Sequence, residues 1–487
     1  MEHMTANVLN HAKQNSTPDL NAFLTDFEGV QLVKGELPPS SYPHLSIDSR
    51  TLRQGQPFLA LRGERFDGHD FVLQAWERGA GFVVVEAAWY FRQPPELTNR
   101  LSRIVVVADT LGFLQRLAAW HRRHFSLPVV GITGSAGKTT TREMLAAILS
   151  RRYRVLQNAG NQNNHIGVPL TLLKLRADHE VAVLEIGTNH PGEIALLTEL
   201  IQPGYAIVTQ IGKGHIGFFG SLDAVFEEKT ALLRGLPAEG VAVLNGEDPF
   251  LAGFNDERLR ILRAGFDQRF EGWGELTGQD ALGRCTFRWR KNGQVTLAVP
   301  GRHHVLNALL AATMADVLGM RDADICAGLA AFQPVDKRMV LEPVGDVVFI
   351  NDAYNANPDS MRAALSYLTG LSVTGRFAVL GDMLELGKFA PAEHRALLEE
   401  VSRLPLNGVA LYGPEMHRAS RALKQAPFPW LAGKDHQAIA HWLRERVRPG
   451  DVVLLKGSRG MRMEQVLEHF KTLQATNQST ESDEHAG

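Results

Sequence analysis

The sequence is poor in cysteine: its 487 residues include two, Cys285 and Cys326. They form neither a CxxC motif nor the spacing of a metal-ligand set, and two cysteines cannot build a disulfide framework. This shortage argues against a disulfide-stabilised secreted domain and against a cysteine-based zinc site. It favours a reducing compartment.

Long hydrophobic runs and an excess of one charge are also missing. No apolar run reaches the length of about 18 residues that a membrane helix needs, and residues 1–20 lack the basic start and apolar core of a signal peptide. Lys and Arg total 51 against 53 Asp and Glu, a formal net charge of −2. We therefore expect a cytoplasmic protein with no membrane span and no nucleic-acid partner.

What the sequence does contain is a regular alternation of short apolar runs, rich in valine and isoleucine, with stretches of helical periodicity. This alternation is typical of α/β units built around largely parallel sheets. The runs are residues 82–85, 104–107, 129–132, 181–186, 206–208, 347–350, 377–380 and 452–455. Breaks in the pattern predict three domains, at 1–126, 127–335 and 336–487, with residues 270–300 as an antiparallel addition to the second.

The strongest local signal is a glycine-rich turn between the apolar run that begins at Val129 and a helical stretch. Glycines let the backbone wrap an anion, and N–H groups at a helix start point at phosphate oxygens. Lys138 would reach the β- and γ-phosphates and Thr139 would ligate Mg²⁺. The candidate nucleotide-binding residues are Gly134, Ser135, Ala136, Gly137, Lys138, Thr139 and Thr140.

Two patterns are absent around this turn. The strict GxxxxGK[ST] pattern is not met, because Ile132 stands five positions before Gly137. No GxGxxG fingerprint occurs, which weighs against a dinucleotide-dependent dehydrogenase. The turn still predicts nucleotide binding, because its strand–loop–helix context is correct.

Eight further segments occur in an order that resembles the Mur ligase family. The resemblance covers roughly residues 25–470. The segment 134–140 (GSAGKTT) resembles the variant phosphate loop of that family. The other segments are 47–50 (IDSR) with 58–69 (FLALRGERFDGH), 158–169 (NAGNQNNHIGVP), 185–194 (EIGTNHPGEI), 215 with 219–221 (H, FGS), 301–307 (GRHHVLN, similar to a GxHNxxN-type segment), 351–361 (NDAYNANPDSM), 380–387 (LGDMLELG) and 455–464 (LKGSRGMRME).

The resemblance implies an α/β, three-domain Mur ligase architecture with a central P-loop ATPase domain and a C-terminal Rossmann-like domain. The first domain would bind a UDP-sugar. YNANPDS and KGSRGM resemble the branch that adds D-Ala-D-Ala to UDP-N-acetylmuramoyl-tripeptide, and the DNPR-type motif of the diaminopimelate-adding branch is missing. The implied cofactors are ATP and Mg²⁺, the implied reaction passes through an acyl phosphate, and we expect a monomer.

The resemblance also assigns roles around the reacting phosphate. Glu185 closes an apolar strand, where carboxylates face the ligand crevice of an open α/β sheet. Together with Thr139 and His215 it would hold Mg²⁺. Lys229 would be carbamylated and would act as a fourth metal ligand, and we expect its neighbours Glu227 and Glu228 to face solvent.

In relatives an acid usually follows this histidine by two positions, where this chain has Gly217, and a glutamate follows the lysine by two, where it has Ala231. Asn307, Arg338 and Asp352 match positions that contact the base, the γ-phosphate and the ribose. Bending near residues 333–337 would bring the last two to the nucleotide. The substrate-binding candidates are Ser49 and Arg50 for the UDP-sugar, Asn161 in the Asn-rich loop, and Lys456, Ser458 and Arg459 for the incoming dipeptide.

Two alternatives remain. Another Mur-type amino-acid ligase, including the folylpolyglutamate relatives, would share the central domain and differ in the acceptor amine. A P-loop ATPase that acts as a switch would hydrolyse ATP without forming an amide. Such a protein would have no use for the 47–69 segments.

Overall fold

The computed structural model describes residues 17–38, 41–63, 66–290, 293–334 and 337–484. The predicted boundary at 335/336 and part of the predicted hinge at 333–337 lie outside these residues. The described chain forms a mixed α/β structure with three separate sheets, which confirms the predicted fold class.

The first sheet has four strands in the order β1-β4-β3-β2. Strand β1 pairs antiparallel with β4, and the other pairs are parallel. The strands are Val30–Lys34 (β1), Phe58–Leu59 (β2), Val83–Glu86 (β3) and Ile104–Val107 (β4); the helices are Leu20–Asp26 (α1), Val72–Glu77 (α2), Ala87–Tyr90 (α3), Pro95–Arg100 (α4) and Thr110–Arg123 (α5), with 3₁₀ turns at Tyr42–His44 and Gly68–Phe71.

The second sheet has nine strands in the order β13-β12-β11-β10-β9-β8-β5-β7-β6. It is parallel from β6 to β11. Three of its central strands are buried on both faces, as expected where crossover helices cover a parallel sheet. The strands are Val129–Thr133 (β5), Val155–Gln157 (β6), Val181–Glu185 (β7), Tyr205–Val208 (β8), Val241–Asn245 (β9), Arg260–Gly265 (β10), Gly272–Gln279 (β11), Arg284–Trp289 (β12) and Gly293–Pro300 (β13).

The last three strands of this sheet pair antiparallel with one another, which confirms the antiparallel addition predicted at 270–300. The helices of this part of the chain are Lys138–Leu149 (α6), Gly167–Leu172 (α7), Glu193–Ile201 (α8), Ile216–Phe219 (α9), Leu222–Arg234 (α10), Pro249–Ala252 (α11), Arg302–Val317 (α12) and Asp322–Ala331 (α13).

The third sheet has six strands in the order β14-β15-β19-β16-β17-β18, and all pairs except β14–β15 are parallel. The strands are Val340–Val344 (β14), Val347–Asp352 (β15), Arg376–Gly381 (β16), Gly408–Tyr412 (β17), Trp430–Ala432 (β18) and Val452–Lys456 (β19). The helices are Pro358–Thr369 (α14), Ala390–Val401 (α15), Pro414–Ala419 (α16), His436–Arg446 (α17) and Glu464–Glu484 (α18), with 3₁₀ turns at Gly387–Phe389, Ser420–Leu423 and Arg459–Met461.

The register of the third sheet aligns two candidate site residues. Asp352 ends β15, Lys456 ends β19, and the two residues are directly opposite in the parallel pairing. Both therefore lie at the carboxyl edge of the sheet, where open α/β sheets bind ligands.

Within the described parts of the chain, no helix has both the length and the apolar character required to cross a bilayer.

Candidate active site

A cleft of about 470 Å³ separates the carboxyl ends of β5, β7 and β8 from the third sheet. One wall carries the glycine-rich turn, Glu185 and the start of α12. The other wall carries Arg338, Asp352 and Lys456. Arg338, Asp352 and Lys138 already line this one cleft, so the bend expected near 333–337 is not needed to bring them together here.

The glycine-rich turn has a backbone that only glycine accommodates easily. Gly137 has a φ of +81°, and a Cβ there would lie 2.5 Å from the Asn307 side-chain oxygen. Gly134 has a φ of +147°, and a Cβ there would meet the Thr209 hydroxyl at 2.0 Å. The turn therefore packs closely against α12 on one side and against the loop after β8 on the other.

Lys138 begins α6 directly after this turn, and its Nζ donates a hydrogen bond to the Gly134 carbonyl at 2.8 Å. Burial lowers its pKa, and the Glu185 carboxylate opposes that shift. The ammonium thus curls over the turn, where a phosphate could replace the carbonyl as its partner.

The remaining turn residues fix the loop to its neighbours. The Ser135 hydroxyl donates to the Gly212 carbonyl at 3.0 Å and its amide donates to the Gln210 carbonyl at 2.8 Å. Ala136 accepts a hydrogen bond from the Thr209 hydroxyl at 2.5 Å. Thr140 is buried and lines the cleft.

Glu185 ends β7 at the bottom of the cleft and is 2% exposed. Its Oε2 accepts a hydrogen bond from the Thr139 hydroxyl at 2.7 Å and lies 3.4 Å from the Arg142 guanidinium. Its Oε1 accepts from the Asn163 amide at 2.7 Å, and its backbone N–H donates to the Asn158 side chain at 3.0 Å. Arg142, Asn158 and Asn163 were not predicted as site residues, although Asn158 and Asn163 belong to the Asn-rich loop.

Lys229 is fully buried on α10, and its Nζ has no hydrogen-bond partner among the described residues. Its pKa lies well below the ordinary value because the ammonium is desolvated and because Lys138 repels it. Both effects favour an uncharged amine.

The expectation for the neighbouring acids was half wrong. Glu227 is exposed, whereas Glu228 is 7% exposed and accepts hydrogen bonds from the backbone N–H groups of Gly192 and Ile194. These N–H groups lie at the start of α8, where the unpaired amides and the helix dipole attract a carboxylate. That end of the helix draws Glu228 inward.

His215 lines the cleft in a left-handed backbone conformation, with a φ of +58°. Its Nδ1 lies 2.8 Å from Oε2 of Glu385, which belongs to the part of the chain that forms the third sheet. This contact lowers the pKa of the Glu385 carboxyl. Glu385 was not predicted as a site residue.

The three predicted nucleotide contacts line the same cleft. Asn307 packs on Gly137. The Arg338 guanidinium stacks 3.6 Å above the centre of the Tyr354 ring. The Asp352 carboxylate is paired with the Lys456 ammonium, which also donates to the Asn355 carbonyl at 3.1 Å.

Two of the six substrate candidates line the cleft, and four lie outside it. Asn161 and Lys456 line the cleft, and the other four do not. The Ser49 hydroxyl donates to Gln74 at 2.7 Å, and the exposed Arg50 pairs with Asp48. The Ser458 hydroxyl donates to the Ala356 carbonyl at 3.2 Å and accepts from the Leu384 amide, and Arg459 pairs with Glu464.

The predicted metal ligands include two hard oxygen donors, Thr139 Oγ1 and Glu185 Oε2, which already touch at 2.7 Å. Such donors suit Mg²⁺. Across the described ranges, no three His, Cys, Asp or Glu side chains converge as a metal site. A cation here would need further oxygens from a bound phosphate or from a modified side chain. Lys229 is not among the residues that line the cleft, but its Nζ is a buried atom without a partner in the described structure that such a modification could use.

Three family models match successive segments of the chain. The Mur ligase family catalytic domain matches residues 41–122, the Mur ligase middle domain matches 132–315, and the Mur ligase glutamate ligase domain matches 337–459. This succession agrees with the predicted three-domain architecture.

Individual relatives extend the similarity over nearly the whole chain. The UDP-N-acetylmuramoyl-tripeptide–D-alanyl-D-alanine ligase of Bacillus subtilis is 34% identical over 449 residues, 90% of this chain and 96% of the relative. Among solved structures, MurF from Acinetobacter baumannii is 33% identical with a TM-score of 0.78, covering 88% of this chain and 93% of that one. MurF ligase from Thermotoga maritima, in complex with ADP, is 30% identical with a TM-score of 0.77, covering 89% and 97%. The three-domain architecture is thereby confirmed, and the chain belongs to the Mur ligase family.

Proposed function

We propose that this chain joins D-alanyl-D-alanine to UDP-N-acetylmuramoyl-tripeptide in an ATP-dependent reaction of peptidoglycan synthesis. The similarity to ligases of that name supports the proposal, since it spans 90% of the chain at 34% identity. The observation that carries it is the two-walled cleft, in which Lys138 and the Thr139–Glu185 pair face Arg338 and Lys456.

The chemistry requires positioning and charge neutralisation more than covalent help from the protein. An oxygen of the tripeptide's terminal carboxylate attacks the γ-phosphorus of ATP, and ADP leaves. The amino group of D-Ala-D-Ala then attacks the acyl carbon, phosphate leaves, and the nitrogen loses a proton. A cleft with walls from two parts of the chain can shield the labile acyl phosphate from water.

The nucleotide-binding residues follow from this arrangement. Lys138 and the backbone N–H groups at the start of α6 bind the phosphates, and Arg338 neutralises charge at the γ-phosphate. Asn307 contacts the base. Asp352 contacts the ribose, which requires that it share or exchange its partner Lys456. The phosphate-binding set is Gly134, Ser135, Ala136, Gly137, Lys138, Thr139 and Thr140.

Thr139, Glu185, His215 and a carbamylated Lys229 would hold Mg²⁺, which when bound neutralises charge on the transferring phosphoryl group. A bare ammonium at position 229 would repel a cation. The neutral amine favoured by its burial can form an N–C bond to CO₂ and release one proton, which leaves a carboxylate on the side chain. The lysine would then supply oxygen ligands in place of a repelling ammonium.

The two ends of the peptide substrate lie at different places in this proposal. Ser49 and Arg50 bind the UDP-sugar outside the cleft, where an arginine suits a diphosphate. Asn161 contacts the substrate inside the cleft and Lys456 faces the dipeptide. Ser458 and Arg459, which lie outside the cleft lining, belong to the segment that follows Lys456 and act on the dipeptide through it. Ser458 contributes through the loop that its hydrogen bonds fix.

We also propose that the domains divide at 126/127 and 335/336, so that each sheet belongs to one domain. Residues 1–126 bind the UDP-sugar, residues 127–335 bind ATP, and residues 336–487 complete the ligase site. We also propose that the chain acts as a monomer, and in the cytoplasm, where water-soluble substrates of this kind would reach it.

A competition experiment tests the proposal. The purified chain is incubated with ATP, Mg²⁺, UDP-muramoyl peptides of different lengths, and D-Ala-D-Ala, single amino acids or glutamate as amines, and the products are identified by mass. We expect one product, the tripeptide joined to D-Ala-D-Ala with loss of water, formed together with ADP and phosphate. A different preferred amine would indicate another Mur-type ligase. ATP hydrolysis without any amide would indicate a switch ATPase.

A further inference from the structure

Gly217 lies on the short helix α9, two residues after His215, and the structure leaves no room for a side chain there. A Cβ on Gly217 would lie 2.6 Å from the Glu385 carbonyl oxygen, the Gly387 nitrogen and the Leu386 carbonyl carbon. The backbone at 385–387 occupies the space that a side chain would take, and the Gly217 N–H donates to the Glu385 carbonyl at 3.2 Å.

The same segment supplies a carboxylate. The Oε2 atom of Glu385 lies 2.8 Å from Nδ1 of His215, an ion-pair distance at which the angle is not that of a hydrogen bond, and both side chains line the cleft. His215 is largely buried, with 18% of its side chain exposed, and the Glu385 side chain is 43% exposed. An acid thus lies beside the histidine, but it comes from a segment 170 residues further along the chain.

Both residues have strained backbones. His215 has a φ of +58° and Glu385 a φ of +66°, in the left-handed region that side-chain-bearing residues rarely occupy. Such a conformation is costly and persists where its surroundings over-determine it. The two turns hold the imidazole and the carboxylate against each other.

We propose that Glu385 is the positioning residue for His215, so that the histidine reaches its working orientation only while the 385–387 segment is docked on Gly217. A carboxylate on one ring nitrogen fixes the orientation of an imidazole whose other nitrogen is used elsewhere. The third domain therefore completes the central site as well as covering it. This inference rests on the proposed function, which makes His215 a ligand near the reacting phosphate.

The test is a double-mutant cycle in the full-length chain with His215→Ala, Glu385→Gln and the combined variant. Ligation kinetics are measured for each variant. Mn²⁺ binding in the presence of ADP is measured by electron paramagnetic resonance. Glu445→Gln is the matched control, because Glu445 is an exposed acid on α17 that pairs with Arg446 away from the cleft. Thermal unfolding of each variant checks the fold.

We expect Glu385→Gln to lower kcat and weaken Mn²⁺ binding by about 10- to 100-fold, with little change in KM for the peptide. The combined variant should be no worse than His215→Ala, because the two residues act as one unit. Full activity and normal Mn²⁺ binding in Glu385→Gln, or multiplied losses in the combined variant, would overturn the inference. If His215→Ala itself is unimpaired, the role of His215 in the proposed function fails and Glu385 loses its purpose, while ligation by the unaltered chain still stands.

Discussion

Two interfaces connect the three sheet regions, and they differ in chemistry. The first seam joins the first region to the second, and the second seam joins the second region to the third. At the first seam, α5 lies against α7 and α8, and one continuous apolar cluster joins residues of the first sheet's region to the central core. Buried polar bonds reinforce it. The Arg122 guanidinium donates to the Ile201 carbonyl at 3.0 Å, and the His121 ring bridges the Tyr42 hydroxyl and the Leu175 carbonyl.

The second seam is mainly polar. The Lys213 ammonium pairs with Glu393 at 2.6 Å, the Lys213 amide donates to Asp359 at 2.7 Å, and His215 contacts Glu385. From the central region, Ile216 belongs to the third apolar core and Leu222 packs against it. An apolar seam behaves as a permanent interface, whereas a polar one can separate and reform. We therefore expect the first seam to stay closed and the second, which borders the cleft, to open for substrates.

The largest expected effect comes from Lys138→Ala at the second seam. It removes the ammonium over the glycine-rich turn, so ligation should fall at least about a thousandfold, which corresponds to about 4 kcal/mol of transition-state stabilisation. Thermal unfolding should change little. The exposed Lys174→Ala is the control, and more than a tenth of normal activity in Lys138→Ala would refute the phosphate-loop assignment.

A substitution at the first seam should instead lower the free energy of unfolding. His121 makes this effect depend on pH. Its Nε2–H donates to the Leu175 carbonyl, so its Nδ1 accepts from the Tyr42 hydroxyl and the buried ring is neutral. Burial lowers its pKa from the ordinary 6.5 to about 4. As the pH falls, the unfolded chain binds a proton on this ring at a higher pH than the folded chain does. The contribution of the neutral ring to the free energy of unfolding is therefore complete above pH 6.5. It is lost progressively as the pH falls toward 4, by about 3 kcal/mol in total.

The measurement is the free energy of unfolding against pH for the unaltered chain and for His121→Gln. The variant should be less stable at pH 7 and should show a shallower decline between pH 6.5 and 4. His441→Gln, at an exposed position on α17, is the control. Parallel curves for His121→Gln and the unaltered chain would contradict a neutral buried ring at this seam.

Glu185→Gln should reduce ligation by about a hundredfold, or about 2.7 kcal/mol, because it removes the charge at the base of the cleft. Its buried neighbour Arg142 also pairs with Glu143, which does not line the cleft. Glu143→Gln is therefore a matched control that disturbs the same guanidinium. Equal losses of activity in the two variants would show that the arginine, and not the Glu185 carboxylate, is what the reaction requires.

The smallest effect is expected from Lys213→Met. One partly exposed ion pair contributes about 1 kcal/mol or less, so the kinetic change should stay below about fivefold. Small-angle scattering should show a larger radius of gyration for the free variant and a return to the unaltered value with an ATP analogue and peptide. Lys471→Met removes a pair with Glu342 inside the third domain and should change nothing. An identical radius in both variants would argue against a seam that opens.

Local features of the site could be read from the sequence, whereas partners distant in the chain could not. The glycine-rich turn and Glu185 follow strands whose apolar runs predict them, so their positions at the carboxyl edge were predictable. The pairs Asp352–Lys456 and His215–Glu385 join residues 104 and 170 positions apart, and no periodicity encodes such contacts. Glu228 was misjudged because the helix start that attracts it lies on another element.

Lys229, buried without a partner in the described structure, is proposed to serve as a carboxylate once carbamylated. Chemical rescue with a small carboxylate can test this role. Ligation by Lys229→Ala is measured with increasing acetate, with chloride at equal ionic strength as the control and Lys138→Ala in parallel. We predict that Lys229→Ala loses most activity and that acetate restores part of it, while Lys138→Ala gains nothing. Full activity of Lys229→Ala without acetate, or equal rescue of both variants, would contradict the claim.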